Sequence, residues 1–103
     1  MGEKLFVVWV NEFVQIRIIL ITQKGKVVDF VVQLELLEPP MPVVRYDFAH
    51  GFPHRDVYYR DGRKIKEEVY EHDLNVVVHM AVSDLKENWI QYLRRCGYEF
   101  EED

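Results

Sequence analysis

Six runs of β-branched and aromatic residues, cut by turn residues and followed by one stretch with helical spacing, constrain this chain more than anything else in it. Runs of Val, Ile, Phe, Tyr and Leu that stop at Asn, Gly, Pro or Asp are the signature of strands. They place strands at residues 4–10, 14–22, 26–37, 43–50, 54–60 and 63–70. The intervening segments are too short for a crossover, so each strand must run antiparallel to the next. An antiparallel meander follows.

Because side chains alternate between faces, the apolar pattern selects the pairing register. Asp61-Gly62, read as a two-residue hairpin loop, pairs Arg60 with Arg63 and sets Tyr58 opposite Ile65 and His54 opposite Val69. A turn through the PPMP segment at 39–42 sets Leu36 opposite Val44 and Leu34 opposite Tyr46. Val28, Phe30, Val32, Leu34, Leu36, Val44, Tyr46, Phe48, Tyr58, Ile65 and Val69 then share one face, which must be covered.

The cover is the last long segment. Leu74, Val77, Val78, Ala81, Leu85, Trp89, Tyr92 and Cys96 recur at three- and four-residue steps, an apolar stripe on a helix. Asp73 or Asn75 can cap its start, Arg94 and Arg95 suit its last turn, and Gly97 can end it. The expected fold is α+β: an antiparallel meander of five to six strands with one long C-terminal helix packed across one face. Residues 1–98 form a single domain and 99–103 an acidic tail.

One helix cannot cover both faces of a sheet, yet Ile19, Ile21, Val27 and Val31 supply apolar surface to the second face. Large apolar patches on monomers usually mark contacts, so a homodimer through that face is expected. The 103 residues, 49% hydrophobic, suffice for one core. A single cysteine, Cys96, excludes an internal disulfide and a multi-cysteine zinc site and reads as a small core residue. The opening MGEKLF carries no long apolar segment, and Asn11, Glu12, Gln15 and Arg17 break the run that follows, so no membrane span and a cytoplasmic protein are expected. Charged residues reach 30% while Ser83 and Thr22 stand alone for their types, a balance reported for hyperthermophile proteins.

Net charge of −5 argues against a general nucleic-acid binder. The charge is uneven, however, with six basic residues against three acidic ones between Arg45 and Lys66. That region begins with RYDFAHGFPHRD, residues 45–56. If Gly51, Phe52 and Pro53 form a three-residue connection, His50 and His54 become cross-strand partners. Asp56 and Glu67 then point the same way, and Arg45, Asp47 and Arg55 occupy the opposite face.

Two imidazoles at such a mouth suit acid–base chemistry near neutral pH. In RNA cleavage, His50 and His54 would share removal of the 2′-hydroxyl proton and protonation of the leaving oxygen, with Arg55 or Arg60 stabilising the phosphate. The same residues also have a structural reading, in which Asp47 pairs diagonally with Arg55, Arg45 extends the ladder and Asp47 holds turn amides. His50, His54, Asp56 and Glu67 are suitable metal donors, but Gly51 and Pro53 break any helical His-x-x-x-His, and no metal or other cofactor is assigned. No phosphate-binding glycine loop or nucleophile elbow is present. His72 and His79 read as structural, and Tyr58, Tyr59 and Tyr70 as packing residues.

The segment VVRYDFAHGFPHRDVYYRDG, from Val43 to Gly62, is similar to small uncharacterised prokaryotic proteins built around an Arg-Tyr-Asp, Ala-His-Gly and His-Arg-Asp pattern. More distantly it resembles the TumE-like toxin family of toxin–antitoxin systems, in which an Arg-Tyr-Asp segment precedes a histidine-rich run on a strand-rich scaffold. Arg45, Tyr46, Asp47, His50 and His54 carry the resemblance. It implies a cytoplasmic toxin-like protein acting on RNA, with an antitoxin protein as partner. Beside it stands the alternative of a non-catalytic homodimeric structural or protein-interaction module. Arg45, Tyr46, Asp47, Arg55, Asp56 and Arg60 are the expected binding residues, around His50 and His54 as the catalytic pair.

Overall fold

The computed structural model describes residues 1–99, so the expected acidic tail lies outside the described residues except for Glu99. Six strands form one antiparallel sheet in chain order: β1 (Gly2–Asn11), β2 (Val14–Gln23), β3 (Lys26–Leu37), β4 (Pro40–Asp47), β5 (His54–Tyr58) and β6 (Lys64–Glu68). A 23-residue helix, α1 (Leu74–Cys96), packs across one face. The α+β meander and its helical cover are as the sequence predicts. No helix is long and apolar enough to cross a membrane among the described residues.

Local chemistry places the turns. Lys24 and Gly25 both take positive φ, 52° and 76°, so that Gln23 and Lys26 face each other across a two-residue loop. Asn11 folds back through its side-chain oxygen onto the Phe13 amide at 2.9 Å. The helix begins where the Asp73 carboxylate accepts from the amides of Asn75 and Val76. Asn75, the alternative cap, instead uses its side-chain oxygen to accept from the Val27 amide at 3.2 Å.

Strand periodicity delivers the core. Val14, Ile16 and Ile18 of β2, Phe30, Val32 and Leu34 of β3, and Val44 and Tyr46 of β4 are buried against Val77, Ala81, Leu85, Tyr92, Leu93 and Cys96 of α1. Cys96 is therefore the core residue expected of it, and burial pushes its thiol pKa up. Leu93, which the apolar stripe did not include, joins the core.

Three registers differ from expectation. Asp61-Gly62 does not form a two-residue loop: the Gly62 amide donates to the Tyr59 carbonyl at 2.9 Å and the Tyr59 amide to the Arg63 carbonyl at 2.9 Å. The loop is thus the three residues Arg60, Asp61 and Gly62, with Gly62 at φ 95° and the Asp61 carboxylate accepting from the Arg63 amide. The extra loop residue shifts the pairing by one, so Val57 faces Ile65, Tyr58 faces Lys64 and His54 faces Glu68. Tyr58 consequently leaves the helix side, and Val57 is buried in its place.

Between β3 and β4, Leu37 faces Pro40 across a cis Glu38–Pro39 bond, and a bulge after Leu34 brings that residue opposite Val44 and Val32 opposite Tyr46. The shift from the expected pairing is two residues, so the faces are unchanged. Between β2 and β3, a bulge near Thr22 turns Val27 toward the helix, where it packs on the core instead of lying with Ile19, Ile21 and Val31.

The helix ends at Gly97, whose φ of 114° is left-handed and whose amide donates to the Leu93 and Arg94 carbonyls. The Arg60 amide donates to the Cys96 carbonyl at 2.8 Å, tying the β5–β6 loop to this terminus. A Cβ added at Gly97 would stand 2.8 Å from the Arg60 side chain. Gly97→Ala is expected to destabilise the fold by about 2 kcal/mol, from the left-handed backbone and the crowded arginine together. Thermal unfolding followed by circular dichroism should register a fall on the order of 10 °C.

Candidate functional site

The β4–β5 pairing decides how the 45–56 motif is used. Residues 48–53 all belong to the connection, with Ala49–Gly51 as a 3-10 turn, so Asp47 and His54 are the first cross-strand pair. The expected His50–His54 pair is therefore not formed. His50 sits exposed in that turn at φ 68°, while His54 is buried in β5 at 1% exposure. The offset from the expected register is odd, and an odd offset exchanges faces. His54 and Asp56 join Arg45 and Asp47 on the face away from the helix, whereas Arg55 and Glu67 join Tyr46 on the helix side.

On the outer face a chain of side-chain contacts crosses four strands without a break. Gln15 Nε2 donates to Glu35 at 2.8 Å, Arg17 Nε to Glu35 at 3.0 Å and Gln33 Nε2 to Glu35 at 2.7 Å. Arg45 Nη1 then donates to Gln33 Oε1 at 3.3 Å, and Arg45 Nε to Asp47 Oδ2 at 2.8 Å. His54 Nε2 lies 2.6 Å from Asp47 Oδ1 and 3.9 Å from Asp56 Oδ2, while His54 Nδ1 is 3.4 Å from the Phe52 carbonyl. Asp47 Oδ1 also accepts from the Ala49 amide at 3.4 Å, the turn-holding role its position suggested.

This cluster is sealed. Asp47 and Asp56 are buried with His54, and the Phe52 ring tilts against the imidazole at 5.9 Å between centroids. Tyr58 shares this face of β5, and its hydroxyl pKa is raised by burial and by the charge of Asp56. Asp56 Oδ1 is buried and accepts no hydrogen bond from any described residue.

The helix-side half of the motif is a second network. Asp84 Oδ2 on α1 accepts from Tyr46 at 2.5 Å and from Tyr92 at 2.6 Å. Arg55 donates to the Tyr92 hydroxyl at 2.9 Å and to Glu67, and its guanidinium lies 5.9 Å from the Tyr46 ring centre. Arg60 is apart from both networks, donating to the Gly97 carbonyl and stacking on Tyr98. Neither Arg55 nor Arg60 is thus placed beside a histidine. Asp84, Gln33 and Glu35 are not singled out in the sequence, and Gln15 and Arg17 count there only as breaks in an apolar run. Their signal was strict alternation with the buried residues of β2 and β3 and, for Asp84, a carboxylate beside the apolar stripe.

The chain belongs to the family described as Domain of unknown function (DUF7718), whose model matches residues 1–102. No curated protein and no solved structure matches it.

The Tyr46–Asp84–Tyr92 network carries a pH signature. Burial first, and the Asp84 hydrogen bond and charge second, push the Tyr92 pKa up to about 12 from 10.0, and the same causes raise Tyr46 further. Folding therefore favours the protonated phenols. Their contribution is intact below pH 10.0, where unfolded tyrosine ionises, and is lost as pH rises through the folded value of about 12. Denaturant titrations at pH 9 to 12 should show falling stability, and Tyr92→Phe should flatten the decline.

Proposed function

We propose that this member of the DUF7718 family is a protein-association module that works as a homodimer, joined through β1. The observation that carries the reading is exposure at one sheet edge. Leu5 is 63% exposed, Trp9 61% and Phe13 53%, with Phe6 and Val7 also open to solvent. Leu5, Val7 and Trp9 lie on the outer face and Phe6 on the helix side, because α1 packs over β2, β3 and β4. β1 thus extends past the helix as a flange, apolar on both sides and, among the described residues, with an unpaired hydrogen-bonding edge.

The two edges of the sheet are unlike. β6 reads KIKEE, short and charged, the usual protection against edge-to-edge pairing. β1 is ten residues long, and its only charges, Glu3 and Lys4, lie near its start. A parallel match with another β1 would oppose Glu3 to Glu3 and Lys4 to Lys4. An antiparallel two-fold match avoids both clashes and continues the sheet from one protomer into the other. With aromatic side chains burying about 150–250 Å² each, the flange offers on the order of 500 Å² per protomer, and pairing two copies removes on the order of 1,000 Å², enough for a specific interface. In this reading most of the 45–56 motif is the fold's internal clasp and acts on no substrate.

A second reading retains the toxin-like expectation for one reason: Arg17 and Arg45 are about one-third exposed on the outer face beside Asp47 and His54. An RNA phosphate would lie against those guanidinium groups with an antitoxin as the natural cover, while His54, 1% exposed, stays beneath them out of reach of the substrate. Arg45→Ala should then abolish growth inhibition or RNA cleavage by the chain.

Light scattering on the full chain should give twice the monomer mass, and Trp9→Glu should give the monomer mass with an unchanged circular dichroism spectrum. A wild-type monomer at all attainable concentrations would refute the dimer.

A further inference from the structure

We propose that Asp47, His54 and Asp56 form a binding site for a divalent first-row metal ion of the zinc or manganese type, built into the β4–β5 hairpin. The inference is independent of the association reading. One donor atom from each of the three side chains falls within 4.8 Å of the others, and among the described residues no other group of three His, Cys, Asp or Glu side chains does so.

The separations match what an ion needs. Ligand atoms about 2.1 Å from a common centre stand about 3.0–3.4 Å apart at tetrahedral or octahedral angles. His54 Nε2 is 2.6 Å from Asp47 Oδ1 and 3.9 Å from Asp56 Oδ2, values on either side of that range. Small rotations of two carboxylates, one outward and one inward, supply the geometry without moving the strands. Donors on paired strands are rigidly spaced, because Asp47 and His54 are direct cross-strand partners and Asp56 is two residues along the same face.

The surroundings also fit. On binding, Nε2 would give up the proton it shares with Asp47 Oδ1 at 2.6 Å and present its lone pair to the ion, with the remaining ring proton on Nδ1, close to the Phe52 carbonyl. A second-sphere backbone carbonyl of that kind is the usual partner of a metal-bound imidazole. Arg45 holds the other oxygen of Asp47. Asp56 is held less tightly: it is 4% exposed, its Oδ1 has no partner, and His54 lies 3.9 Å from its Oδ2, while Arg45 and Lys66 are its cross-strand neighbours. A buried carboxylate oxygen without a donor is costly, and among the described residues neither of those two cations closes to an ion pair with it. A divalent ion would balance the two carboxylates, with Arg45, already paired to Asp47, as a further positive charge beside them. One nitrogen and two or more oxygens, with no thiolate, is a donor set for zinc, manganese or iron(II) more than for magnesium.

The test uses the full chain, stripped with a chelator and dialysed against zinc alone and, separately, manganese alone. Elemental analysis should find about one ion per chain with at least one of them, and the thermal midpoint should rise by several degrees with that ion in excess. Asp56→Asn, nearly isosteric, should fold by circular dichroism and retain less than a tenth of the ion. The triple variant His50→Ala/His72→Ala/His79→Ala should bind as the wild type does. In ring-labelled wild type the imidazole ¹⁵N signals of His54 should shift on adding the ion, a readout that needs no variant. Failure of the wild type to retain stoichiometric zinc or manganese would overturn the proposal, as would binding that survives Asp56→Asn or follows the other three histidines.

Discussion

The cross-strand pair of Asp47 and His54 is the contact on which the rest of the hairpin depends. With these two residues opposed, every neighbour's side is decided by the two-residue period of a strand. Arg45 and Asp56 must stand with them on the outer face, and Tyr46, Arg55 and Val57 must turn toward the helix. The motif is therefore two networks back to back, one closed by His54 and one closed by Asp84 from α1. A slip of β5 by one residue against β4 would turn His54 and Asp56 toward the helix and expose Val57. Either half of the motif alone would resist that slip, and together they specify one register.

The same alternation explains why the sheet's surplus apolar surface collects at β1. A lone helix covers only the middle strands. Over β2 to β5 the outer face is protected by the ladder from Gln15 to Asp56, polar groups that satisfy one another and leave the aliphatic stems beneath them. β1 has neither the helix nor the ladder. Its exposed Leu5 and Trp9 are thus a consequence of where two coverings stop, and they are the surface on which the proposed pairing of two copies rests.

How much of this was legible before the structure depended on whether a feature was periodic or set by loop geometry. The strands, the helix, the Asp73 cap and the Gly97 stop follow from spacing, because the buried apolar residues fall at every second position, Val14 to Ile18 in β2 and Phe30 to Leu34 in β3, and the α1 stripe faces one way. The hairpin registers did not follow, because each rests on one residue of loop length. Asp61-Gly62 is compatible with a two-residue loop and with a three-residue loop closed by a left-handed glycine, and only the Tyr59–Arg63 pairing chooses the second. Gly51-Phe52-Pro53 looked like a complete connection, but the Asp47–His54 pair draws residues 48–50 into the loop as well. That is why the two histidines, four residues apart, share no surface.

A cluster such as Asp47–His54–Asp56 is hard to account for by stability alone. Taking charges out of water costs several kcal/mol per ion, and well-packed apolar residues of similar volume often do as well or better. The helix-side network is satisfied, with both tyrosines donating to Asp84 and Arg55 donating to Tyr92 and Glu67. The outer cluster stays incomplete at one atom, Asp56 Oδ1. Specifying the register needs only Asp47 and His54, which already meet at 2.6 Å. An aspartate two residues farther along β5, buried with one oxygen unpartnered, adds electrostatic cost without adding to that specification. Its position is understandable if the negative charge it brings is answered by a positive one, and the donor atoms around it have the spacing and chemistry to hold such a charge.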